Sequence, residues 1–236
     1  MTETFSVSLA LRYACPTWSV AKNLEIYGSD ASLEGLGANF EIALTWKTTE
    51  PSVKPLAALE FVKSLLDHRC LFKDEPEFAH TSSTLENITL FVVKRLQEEK
   101  LRHSIDWVLL QVRESQNLSA VYDFKSASLS LTLDFQFPIQ WKTRAGRWGG
   151  GEWKVQLELA KPLDKETGLL LRRLEKWQEI EGVISPFASR TSIVEDDTLQ
   201  SIEGLVAEVA NGIRQINGFK SVSIAPQASQ SYRFYG

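Results

Sequence analysis

One order of hydrophobic periods occurs twice along this 236-residue chain, and that duplication constrains the fold more than any other feature. Phe5, Val7, Leu9, Leu11 and Tyr13 recur at every second position and predict a strand with one buried face. Phe40, Ile42, Leu44 and Trp46 predict a second. After Pro55 the spacing changes to Leu56, Leu59, Val62, Leu65 and Leu66, a helical stripe. Another helix is predicted from Ser83, where Ser83-Thr84-Leu85-Glu86 has the form of a capping box and Leu85, Ile88, Val92 and Leu96 share a face. Strands over 105–113 and 118–124 close the unit.

Residues 129–141 restart the pattern with Leu129, Leu131, Leu133, Phe135, Phe137, Ile139 and Trp141, followed by Trp153, Val155, Leu157 and Leu159. A helix after Pro162 is expected to carry Leu170, Leu174 and Trp177, and one after Asp197 to carry Ile202, Leu205, Val209, Ile213 and Ile216. Strands near 222–224 and 232–235 end the chain. Matched landmarks (Phe40 with Trp153, Pro55 with Pro162, Thr84 with Thr198, Ile88 with Ile202, Tyr122 with Tyr235) are offset by 107 to 114 positions. A nearly constant offset in a shared element order points to internal duplication. The expected fold is α+β: two ββααββ repeats, 1–125 and 126–236, each an antiparallel sheet with helices on one face. Only Lys125 to Ser128 lies between them.

The remaining composition narrows the class. With 43% hydrophobic and 24% charged residues the chain has an ordinary globular balance, and its formal charge of −4 argues against a general nucleic-acid surface, which needs excess Lys and Arg. No apolar run nears the roughly 18 residues of a membrane span, and the N-terminus lacks a basic leader, so a cytoplasmic protein is expected. Cys15 and Cys70 have no companion pair, which suggests neither a zinc ribbon nor a disulfide framework. Cys15 reads as a small buried apolar group. Gly149-Gly150-Gly151 precedes a strand, whereas a phosphate cradle needs a helix N-terminus. The polar stretch 14–38 is long enough to expect a functional loop.

Four segments of the first half carry a resemblance: Phe5-Ser6-Val7-Ser8, Leu66-Asp67-His68-Arg69, Ser83-Thr84-Leu85-Glu86-Asn87-Ile88, and Glu114 on a terminal strand. Together they resemble the 6-pyruvoyl-tetrahydropterin synthase and 6-carboxy-tetrahydropterin synthase family, whose members have the tunnel fold, or T-fold. The resemblance implies a zinc site of three histidines beside a catalytic cysteine. The histidine positions read Leu9, Leu36 and Ala38 here, and the cysteine position reads Asp30, although Gly28, Gly35, Gly37 and Asn39 keep the surrounding frame. No metal and no other cofactor is therefore expected, since aliphatic side chains have no lone pair for Zn²⁺.

The same resemblance makes Asp67 and His68 the family's proton-handling pair, the residual catalytic candidates. It makes Glu114 the carboxylate that grips a pterin ring, with Thr84 and Glu86 as further ring-binding positions. A carboxylate suits that task because it accepts two parallel hydrogen bonds from an amino and ring N–H edge. Local alternatives stay open: Asp67 as a cap or local ion-pair partner, Glu114 as an edge glutamate beside Arg113, and Ser83 with Glu86 as a capping box. In the second repeat Gln200 stands opposite Glu86 and Gln227 opposite Glu114.

Three readings of function follow. The first is a degenerate synthase relative that binds a pterin- or purine-like molecule or serves in an assembly. The second is a metal-free enzyme (aldolase-, epimerase- or lyase-like) using Asp67 and His68 on a heterocycle. The third is a purely structural subunit, favoured if aromatic side chains of the 14–38 loop such as Trp18 or Tyr27 fill the pocket. A homo-oligomer is expected in each, with two or four chains favoured over three, because isolated repeats leave open sheet edges.

Overall fold

The computed structural model describes residues 1–47, 56–98, 105–189, 191–194, 199–227 and 230–235. It is a mixed α+β protein with ten strands among the described residues, and it divides into two compact units. The first comprises Met1–Leu131 with Pro162–Arg172, the second Thr132–Lys161 with Arg173–Gly236.

In the first unit β1 (Thr2–Leu11) pairs antiparallel with β2 (Leu36–Lys47), which pairs with β4 (Asp106–Ser115), which pairs with β5 (Leu118–Asp123). A two-residue strand β3 (Arg69–Cys70) runs parallel to β1 on its other side, giving the order β3-β1-β2-β4-β5. The alternation predicted for β1 and β2 is the one observed: Val7, Leu9 and Leu11 are buried, as are Phe40, Ile42, Leu44 and Trp46. Helices α2 (Leu56–Leu66) and α4 (Leu85–Glu98) pack with this sheet. The α4 stripe Leu85, Ile88, Val92 and Leu96 is buried, joined by Phe91 against Phe78. Pro55, the expected start of α2, lies outside the described residues.

Three expectations change here. The 14–38 stretch holds a helix, α1 (Val20–Tyr27), capped by the Ser19 side chain at its start and by Gly28 at φ +63° at its end. Gly28 suits that end because the left-handed region costs glycine nothing sterically. A further one-turn helix, α3 (Leu71–Asp74), follows β3. The start of α4 is capped by Thr84, whose Oγ1 accepts the Asn87 N–H at 3.2 Å. Ser83 is engaged elsewhere: its Oγ accepts the Arg12 N–H at 2.6 Å, so the Ser83–Glu86 capping box does not form.

In the second unit β6 (Ser128–Thr143, of which 132–143 belong here) neighbours β7 (Trp148–Leu159), then β9 (Phe219–Gln227), then β10 (Gln230–Tyr235). A short strand β8 (Thr191–Val194) runs parallel to β6. Helices α5 (Arg173–Ala188) and α6 (Leu199–Ile213) pack against each other. The core holds Trp153, Val155, Leu157, Val209, Ile213, Val222 and Ile224. The expected helix start after Pro162 is corrected: α5 begins at Arg173, and Leu170 lies in an irregular segment that packs with the first unit. Asp197 and Thr198 lie outside the described residues.

Candidate functional site

The site lies in the first unit, where the end of β1, helix α1, the start of α4 and residues 162–172 meet. Arg12 fixes the approach to α4. Its guanidinium donates to the carbonyls of Phe78 and Ala79, both at 2.9 Å, while its own backbone bonds to the hydroxyls of Ser82 and Ser83. With 78–83 held this way, Thr84 and Glu86 point into a fully buried environment. The Thr84 hydroxyl donates to the Gly168 carbonyl at 2.6 Å, and the Glu86 carboxylate accepts the Leu170 N–H at 3.1 Å.

Aromatic rings flank these groups. Tyr27 donates its phenol to the Thr167 carbonyl at 2.7 Å, and its ring stacks on Trp18 at 6.3 Å and lies tilted to Tyr13 at 6.5 Å. Burial is the main reason its phenol pKa is pushed up to about 12; a bond from Ser82 opposes that rise, and Cys15, Asp164 and Glu86 add to it. Tyr13 turns the other way and donates to Glu114 Oε1 at 2.6 Å. Lys22 on α1 sits over the Trp18 ring at 3.9 Å and pairs with Glu166 at 2.8 Å.

Asp67 and His68 occupy the opposite flank of β1. Asp67 Oδ1 accepts the Ser8 N–H at 3.0 Å and the His68 N–H donates to the Ser8 carbonyl at 2.6 Å, so the pair brackets one peptide of β1. The backbone of His68 is left-handed, φ 56°, and its side chain is 84% exposed, with Nε2 3.9 Å from Asp67. In the strand order β1 and β2 stand between His68 and Glu114. Three strand spacings amount to roughly 14 Å. The two groups are not brought to one point.

The three positions where the resembled family has histidines do converge. Leu9 is the cross-strand partner of Ala38, and Leu36 pairs with Leu11 two residues along the same ladder. Their donor set does not fit a metal, because none of them carries a lone pair. Among the described residues no group of three or more His, Cys, Asp or Glu side chains could hold one either. Cys15 is buried, with Sγ 3.1 Å from the Thr17 hydroxyl.

Sequence reasoning placed Thr84, Glu86 and Glu114 correctly on their elements but missed Tyr13, Ser82 and the 162–172 segment. Tyr27 entered only as a possible pocket filler. A signal for the segment existed in Asp164-Lys165-Glu166-Thr167-Gly168. The Asp164 carboxylate accepts the N–H groups of Glu166 and Thr167, a turn that such a sequence favours.

Part of this first unit is similar to the pterin synthases. Residues 54–125 match the family model of 6-pyruvoyl tetrahydropterin synthase. A 6-pyruvoyl tetrahydrobiopterin synthase of Drosophila melanogaster is 31% identical over 99 residues, which cover 38% of this chain and 58% of that relative. The structure of Caenorhabditis elegans 6-pyruvoyl tetrahydropterin synthase aligns over 52% of this chain and 93% of that one, at 23% identity and a TM-score of 0.46. The similarity is confined to part of the chain: the family match spans 54–125, and the chain covers 58% of the Drosophila relative's length.

Proposed function

We propose that the chain is a zinc-independent member of this family that acts as a pterin- or purine-like ligand-binding subunit of a homo-oligomer, without the family's carbon–oxygen lyase chemistry. One observation carries the reading: Leu9, Ala38 and Leu36 meet on the β1–β2 ladder where metal ligands would be needed, and none can donate an electron pair. Glu114 is the ring-binding carboxylate, already oriented by the Tyr13 phenol. The separation of His68 from Glu114, and the exposure of its imidazole, favour binding over metal-free proton transfer by Asp67 and His68.

The chain is further proposed to consist of two T-fold repeats, 1–125 and 126–236. The pairing order supports it: β3-β1-β2-β4-β5 in one unit has the same form as β8-β6-β7-β9-β10 in the other, including a short parallel strand beside the first long one. A purely structural subunit is the second reading, favoured by Tyr27 and Trp18 stacked within the site. Elemental analysis of purified protein together with fluorescence titration of pterins separates these. Absence of stoichiometric zinc with saturable pterin binding supports the binding subunit, and absence of both supports the structural one. One tightly held zinc per chain overturns the zinc-independent reading.

A further inference from the structure

Residues 164–171 form a strap within the first unit, and its contacts include Thr84, Glu86 and Asn87 of one motif. The strap is shaped internally by the Asp164 turn and by the Gly168 N–H donating to the Asp164 carbonyl at 2.8 Å. At Gly168 the backbone is left-handed, φ +70°, and a Cβ there would lie 2.1 Å from Asn87 Nδ2. The glycine therefore permits a close approach that no other residue allows. Leu169, Leu170 and Leu171 follow, all buried.

The recognition is directional. The Thr84 Oγ1 uses both of its capacities, accepting the Asn87 N–H and donating to Gly168 C=O. Glu86, fully buried, accepts the N–H of Leu170. A donor on the residue that caps α4 and an acceptor two positions on thus read a carbonyl and an N–H two residues apart on a peptide backbone. Tyr27 adds a third contact at the Thr167 carbonyl, and Asn87 is held in place by its bond to the Ser82 carbonyl at 2.9 Å.

We propose that Thr84, Glu86, Asn87 and Tyr27 form a peptide-binding clasp whose resident ligand is the chain's own Asp164–Leu171 strap, so that these side chains are closed to a diffusible heterocycle. A carboxylate and hydroxyl that could read the lactam edge of a ring instead read the C=O and N–H of this backbone. A small molecule could take their place only by exposing three buried leucines and leaving the Gly168 carbonyl and Leu170 N–H without partners. The clasp concerns Thr84, Glu86, Asn87 and Tyr27 and makes no claim on ligand binding at Glu114.

Hydrogen exchange by mass spectrometry on the full chain tests this, comparing the peptide spanning 164–172 with one from the middle of α4. In the wild-type protein the strap should exchange within about tenfold of the α4 peptide, and 1 mM pterin or guanosine should leave it unchanged. Glu86→Ala should accelerate strap exchange at least tenfold while the α4 peptide stays protected, and Glu86→Gln, whose amide oxygen still accepts the Leu170 N–H, should restore most of the protection. Unprotected wild-type exchange, or no change in Glu86→Ala, overturns the clasp. Faster strap exchange or new tryptic cleavage after Lys165 on adding pterin overturns it in favour of a displaceable lid. If Glu86→Ala does not fold, the wild-type comparison with and without pterin still decides. Failure of pterin to bind at Glu114 is read separately by titration.

Discussion

The carboxylate of Glu86 and the backbone N–H of Leu170, 84 positions apart, are 3.1 Å from each other in a site from which water is excluded. A buried acceptor needs its donor, because leaving a buried polar group without a partner is costly. The bond therefore ties the beginning of α4 to a segment from the second half of the sequence, and the geometry of Gly168 decides whether that tie can form.

Replacing Gly168 by alanine should destabilise the protein by about 1–3 kcal/mol, from the left-handed backbone and the collision with Asn87. Gly146 is the control. It also has a positive φ, +86°, but nothing lies within 4 Å of where its Cβ would be, so Gly146→Ala should cost only the backbone term of about 1 kcal/mol. Urea denaturation of both variants checks the difference; equal costs would mean that the approach to Asn87 does not matter.

The ladder that holds Leu9, Leu36 and Ala38 gives a second expectation. Leu9 and Ala38 are cross-strand partners, with Cβ atoms about 4.5–5.5 Å apart by sheet geometry, and Leu36 follows on the same face of β2. Substituting histidine at all three positions should raise zinc affinity above that of the wild-type chain, measured by competition with a chelating dye. No gain in affinity would mean that the frame, as well as the ligands, has departed from a metal site.

Much of this architecture was legible in the sequence because long elements with one buried face write their period into it. β1, β2, β6 and α4 were read from alternation or helical spacing, and most of the apolar residues named for them are buried, with Phe5, Leu129 and Phe135 only half-buried. The missed pieces lack a period. α1 buries only Asn23, Ile26 and Tyr27 and exposes Val20 and Leu24, so its stripe is weak, although Ser19 and Gly28 mark its ends. β3 has two residues, too few to alternate. Leu169, Leu170 and Leu171 are consecutive and all buried, a pattern of neither helix nor one-faced strand, and Leu170 was drawn into the helix that follows. In the site, motif residues were found by resemblance, but their partners were not. What Thr84 and Glu86 bind is set by a tertiary contact that no local spacing encodes.

Tyr27 predicts a pH dependence. Its phenol pKa rises from 10 in the unfolded chain to about 12 in the fold, mainly through burial. The folded state thus holds the proton more tightly, so the contribution is fully present below pH 10 and is lost as pH rises through 12. Thermal unfolding followed from pH 8 to 12 should show the wild-type protein losing stability across that window more steeply than Tyr27→Phe. Parallel curves would place the Tyr27 proton elsewhere in the balance.

Glu114→Gln should weaken the binding of a pterin- or purine-like ligand by about 1.5–3 kcal/mol, the range of a charge-assisted hydrogen bond, without altering the fold. Tyr13→Phe should weaken it less, since Tyr13 orients the carboxylate through one bond. Fluorescence titration of pterins compares the three proteins, and equal affinities would remove Glu114 as the anchor.

The final prediction concerns assembly. β10 pairs with β9 along one side only among the described residues, and its Tyr235 is 64% exposed. Such an edge offers unpaired backbone groups to another strand, a liability that closure into a ring removes. The turn 124–127 joins β5 to β6 in four residues, with Asp123 accepting the N–H groups of Lys125 and Ser126 at 2.8 and 3.2 Å. Four principal strands per repeat then give sixteen in a ring of two chains, and two such rings can stack. Light scattering at micromolar concentration should find two or four chains. Three chains would support repeats divided between two rings, and a stable monomer would contradict both arrangements.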